Sequence, residues 1–116
     1  MSDPRERESA ERAARERQVR EFLDDATRDL QRMRALTARL ESGDRAAWAE
    51  VQNLAHNVAA RAAAQKLGLL DACARELENL ADEHLAGAPL DGFLLQCLAS
   101  ALETVALEIE SLKRAS

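Results

Sequence analysis

One chain of 116 residues is long enough to bury a core without disulfides or metals. Its apolar content of 47% is mostly Ala and Leu, with four Gly, two Pro and only Phe22, Trp48 and Phe93 as aromatics, a balance that favours helix over sheet. A net charge of −5 removes the electrostatic case for nucleic acid despite fourteen arginines, which alternate with carboxylates as on a solvated helix.

Asp3-Pro4 is a helix-start signal, Asp as cap and Pro in the first turn. Residues 1–18 are then nearly all Arg, Glu and Ala without an apolar stripe, and read as a charged amino-terminal arm or short helix. The first amphipathic helix is predicted from about Gln18 to Glu41, with Val19, Leu23, Ala26, Leu30, Met33 and Leu40 in alternating steps of four and three that only Thr37 interrupts. Ser42-Gly43-Asp44 ends it, and Asp44 can cap the next helix, Arg45 to about Lys66. Leu67-Gly68 reads as the break after that helix, with Gly68 as its stop.

The third helix is expected over about Leu69 to Leu85, with Leu70, Cys73, Leu77 and Leu80 facing inward. Ala86-Gly87-Ala88-Pro89 is the clearest loop, and Asp91 caps a fourth helix running to about Arg114. Leu94, Leu98, Ala101, Val105, Ile109 and Leu112 form its stripe. Four amphipathic helices on short turns predict an all-α fold, an antiparallel up-down-up-down four-helix bundle over 19–116 with a charged helical extension before it. Free core thiols at Cys73 and Cys97 are expected in a reducing cytoplasm, and no stretch reads as a membrane span or signal peptide.

Enzyme signatures are scarce: there is no Gly-rich phosphate loop, no Cys-x-x-Cys and no His-Glu-x-x-His. His56 and His84 lie on different helices with no cluster to complete a metal site, so no metal ligand is assigned. His84 falls near the exposed end of the third helix, where an imidazole suits the carboxyl terminus. Glu76, Glu78, Asp82 and Glu83 read as a solvated face.

His56 stands apart. At about 100° per residue, Trp48, Val51, Ala55, Val58 and Ala62 make the apolar stripe, and His56 lies roughly 100° off its centre. Ala49, Gln52, Ala59, Ala60 and Ala63 are its surface neighbours by helical spacing. The imidazole would thus stand on a floor of small side chains that a second protein can approach.

Leu54-Ala-His-Asn-Val58, the small-residue run after it and Leu67-Gly68 resemble the histidine-containing phosphotransfer (HPt) domains of bacterial phosphorelays. Phe22-Leu-Asp-Asp-Ala through Leu40-Glu-Ser-Gly-Asp44 is similar to the family's opening helix and turn, and Ala72-Cys-Ala-Arg-Glu-Leu-Glu78 to its third bundle helix. The family usually shows His-x-x-Lys-Gly, where this chain has Ala59 and Ala60. The resemblance implies His56 as phosphoacceptor and Glu78 as its polar neighbour from the next helix. Gln52, Asn53, Ala59, Ala60 and Ala63 would dock a response-regulator receiver domain or hybrid sensor kinase.

It further implies a cytoplasmic phosphocarrier, monomeric and without an ATP site. No cofactor would be bound by this chain, Mg²⁺ belonging to the partner receiver. Two alternatives stand beside it: a degenerate HPt that binds partners without carrying phosphate, and a helical adaptor with an incidental surface histidine.

Overall fold

The computed structural model describes residues 3–115. Met1, Ser2 and Ser116, which the expected arm and domain include, lie outside the described residues. The described chain is all-helical: α1 Pro4–Ala35, α2 Thr37–Glu41, α3 Arg45–Ala64, α4 Gly68–Leu85 and α5 Gly92–Ala115.

The Asp3 carboxylate accepts from the Arg5 N–H at 3.0 Å, and Pro4 occupies the first turn, where its missing N–H costs nothing. From there α1 continues through residue 18 without a break, so the charged arm is the opening of the first core helix. The side chains from Asp3 to Arg12 are all exposed, and full burial begins at Phe22.

The first amphipathic helix does not run unbroken to Glu41. It stops at Leu36, whose N–H is shared between the Arg32 and Met33 carbonyls at 3.2 and 3.1 Å. Thr37, the residue outside the apolar stripe, turns its hydroxyl back onto the Arg34 carbonyl at 2.7 Å, which competes with the regular ladder. The offset buries Leu36 together with Leu40.

Three helices end in the same way. The N–H of the second residue past the cap reaches back into the helix: Asp44 to Arg39, Leu67 to Ala62, and Ala88 to Glu83, at 2.8–3.0 Å. The residue that turns the chain is left-handed in each, and at two ends it is glycine, Gly43 and Gly87. At the end of α3 it is Lys66, with φ of 60°, while the expected stop, Gly68, is the first residue of α4.

α1 packs against α3 and α5, and α4 packs against the same two helices, so the four long helices close around one core. Every residue of the expected α3 stripe is buried, as are Leu94, Leu98, Ala101, Val105 and Ile109 of α5. Fully burying each leucine or valine contributes roughly 1.5–3 kcal/mol. Trp48 fills the centre, and its indole N–H donates to the Leu40 carbonyl at 3.1 Å, tying α2 to α3. Among the described residues no buried side-chain polar atom lacks a partner. Cys73 is buried and Cys97 half-buried, both as free thiols, and burial pushes the Cys73 thiol up.

Contrary to the expectation from the sequence, α5 is long and apolar enough to cross a membrane by length and composition alone. Here that apolarity feeds the core: six of its side chains are buried.

Candidate functional site

His56 lies midway along α3 on its outer face, its side chain 64% exposed. The ring is nevertheless held. Nδ1 lies 2.7 Å from a carboxylate oxygen of Glu78 on α4, and Glu78 itself is only 18% exposed. An ionised carboxylate accepts and never donates, so Nδ1 carries the proton in this contact. A neutral imidazole so arranged keeps its lone pair on Nε2, which makes no hydrogen bond among the described residues.

One turn back on α3, the Gln52 amide donates to Asp82, which sits one turn beyond Glu78 on α4. Two rungs of polar side chains therefore brace the same pair of helices, and the His56 rung is the one open to solvent. This revises the expectation of a solvated acidic face. Glu76 and Glu83 are exposed, but Glu78 and Asp82 turn towards α3 and are partly covered.

The floor of small residues is present with one correction. Asn53, Ala60 and Ala63 are exposed. Ala59 is 2% exposed and belongs to the core, because it lies on the α4 side of α3, where the two helices close on each other. It cannot form part of a docking surface. Gln52 is half-buried and committed to Asp82, so it supports the site from beneath.

Among the described residues no cation pairs with or bonds to the imidazole. Arg61 turns to the other side of α3, where it pairs with Asp25 of α1 at 3.0 Å and lies over the Phe22 ring at 5.0 Å. Arg75 on α4 is held by Asp71 at 2.7 Å. Next to that Arg61 pair, burial raises the Asp29 carboxyl, partly offset by the Arg61 guanidinium. The immediate charge around His56 is thus anionic, from Glu78 and Asp82.

His84 has a different place. Its Nδ1 lies 2.9 Å from the Ala88 carbonyl, and its ring centroid is 4.5 Å from that of Trp48 at a tilt of 46°. It is half-buried rather than exposed, and it pins the turn after α4 to the core. Among the described residues no group of three or more His, Cys, Asp or Glu side chains is placed to hold a metal ion.

Sequence reasoning missed Asp82 as a working residue and misplaced Ala59. The signal for Asp82 was available: Gln52 is four residues before His56, Asp82 four after Glu78, and one matched pair implies the other on facing helices. No family model, curated protein or solved structure matches the chain.

Proposed function

We propose that this chain is an HPt-type phosphocarrier, built as an up-down-up-down four-helix bundle, in which His56 exchanges a phosphoryl group with the aspartate of a receiver domain. The observation that carries the reading is the His56–Glu78 pair on an exposed face, a tautomer-fixed imidazole with its second nitrogen open to a partner. The topology is supported by the two rungs between α3 and α4. Gln52 meets Asp82 while His56 meets Glu78, so the numbering rises on one helix as it falls on the other. The short connections between α3, α4 and α5 favour the same arrangement.

In the transfer, the Nε2 lone pair forms the P–N bond as the P–O bond to the partner's aspartate breaks, and that carboxylate leaves with its electron pair. Nδ1 keeps its proton, and the positive charge that develops on the ring is balanced by Glu78. The transition state is loose, so positioning and charge neutralisation carry most of the catalysis. With no cation in contact with His56 among the described residues, neutralising the phosphoryl oxygens falls to the receiver and the Mg²⁺ it binds. The chain itself is then a cytoplasmic, monomeric carrier without an ATP site, not an enzyme in its own right.

One observation favours a second reading. Ala59 and Ala60 stand where the resembled family carries lysine and glycine, and the ring's own partner is a carboxylate, which suits a degenerate HPt that only docks. Incubation with phosphorylated receiver domains separates the two. The carrier reading expects acid-labile, base-stable label on the wild type and on His84→Gln, and none on His56→Gln. Binding without label on any of the three supports the degenerate form.

A further inference from the structure

Lys66 occupies a position that glycine fills at the two equivalent helix ends. Its φ is 60°, against 79° at Gly43 and 118° at Gly87, and a side chain is disfavoured in that region. Among the described residues its ammonium also has no ion pair or hydrogen bond. In the packed body, from Phe22 onward, every other described cation is engaged: Arg28, Arg32, Arg34, Arg39, Arg61, Arg75, Lys113 and Arg114 with carboxylates, and Arg45 with the Leu85 carbonyl, whereas the arginines of α1 from Arg5 to Arg20 make no ion pair among the described residues. Lys66 instead lines an open groove with Arg15 and Gln18 of α1 and with Ala64 and Gln65. Arg15 makes no ion pair among the described residues either, although Glu11 stands one turn before it.

The groove lies within reach of the histidine. His56, Ala60 and Ala64 form one ridge of i+4 neighbours, all exposed. Eight residues of helix span roughly 12 Å. A standard protein interface covers about 800 Å² on each partner, a disc of roughly 16 Å radius, so a footprint centred on His56 extends to Ala64 at the edge of the groove. At the opposite end of α3 the side chains of Arg45, Glu50 and Gln52 are all engaged.

We propose that Lys66 and Arg15 form a cationic edge of the docking surface that engages carboxylate side chains on the partner, and that the strained backbone of Lys66 is retained for this contact. The inference rests on the docking reading given above, with the receiver domain as the partner. It makes Lys66 a residue that sets partner choice and not one that touches the phosphoryl group. Charges at the rim of an interface act chiefly on association rate and salt dependence.

The test takes the Mg²⁺-loaded receiver domain that best charges His56 and titrates it into wild type, Lys66→Gly, Lys66→Arg and Arg15→Ala. Lys66→Gly should melt at a higher temperature yet bind roughly three- to tenfold more weakly at low salt, a gap that closes as salt screens it. Lys66→Arg should keep the wild-type affinity, and Arg15→Ala should lose affinity with little change in melting. A Lys66→Gly protein that binds as tightly as wild type at every salt concentration, while transfer to His56 persists, would overturn the inference alone. A lower melting temperature for that variant would overturn the claim of strain. If no receiver in the panel binds or charges the wild type, the carrier reading falls and this inference falls with it.

Discussion

A carboxylate can only accept, so the contact from Glu78 decides which nitrogen of His56 keeps its proton. Nitrogen-15 NMR of the imidazole should therefore show the Nδ1–H tautomer in the wild-type neutral ring, and Glu78→Ala should release the ring to a mixture. A hydrogen bond to a charged group contributes about 1.5–3 kcal/mol, so a transfer that uses it should slow by roughly ten- to a hundredfold in the variant. An unchanged tautomer in Glu78→Ala would contradict the contact. The neighbouring alanines make a second residue-scale test, because they sit side by side in sequence and on opposite sides of the surface. Ala60→Gln adds bulk to an exposed position and should alter stability by less than about 0.5 kcal/mol while receiver binding and transfer fall together. Ala59→Gln forces the same side chain into the core, and should destabilise by roughly 1–3 kcal/mol or more. Paired thermal melts and receiver titrations check both, and equal melting temperatures for the two variants would refute the burial of Ala59.

At the scale of elements, α3 depends on its start as much as its end. Asp44 accepts from the Ala46 N–H at 3.0 Å and from Arg39 Nε at 2.8 Å, and the Arg39 guanidinium with the helix N–H groups holds its carboxyl below the ordinary value. A depressed carboxylate contributes stability that is complete above the unfolded pKa and is lost as pH falls through the folded one. Asp44→Ala should melt a few degrees lower at neutral pH, and the gap to wild type should narrow in acid below about pH 4. A gap that is constant with pH would contradict the assignment. The stripes of α3 and α5 were legible because their periods are long and regular. The break at Leu36 was signalled only by Thr37, whose hydroxyl chemistry a hydropathy pattern does not register. Gly68 misled for a related reason: glycine is the usual left-handed residue, and nothing in composition marks Lys66 as the one that turns the chain. Ala59 was misplaced because alanine fits core and surface alike, and only the approach of α4 decides which.

The whole molecule divides a projecting helical opening from a packed body along one continuous α1. Since Asp3 to Arg12 bury no side chain, a chain starting at Ala13 should keep the stability of the body to within about 0.5 kcal/mol while losing helical signal in proportion to its length. A large drop in denaturation midpoint would show that those turns pack in solution. In the body, α5 combines membrane-like apolarity with a buried face, and α1 and α4 flank it on either side, so the outer face of α3 is left between α1 and α4 as the surface that holds His56. That placement of an exposed, braced histidine on a face of small residues carries the functional account. It is tested most directly by a two-step transfer, in which the wild-type chain is charged from one phosphorylated receiver, purified, and mixed with a second, unphosphorylated receiver. The carrier account predicts label that goes on at His56, comes off onto the second receiver's aspartate, and never appears in His56→Gln. Label that still cycles through the His56→Gln protein, or a wild type that binds both receivers and is never charged, would contradict it.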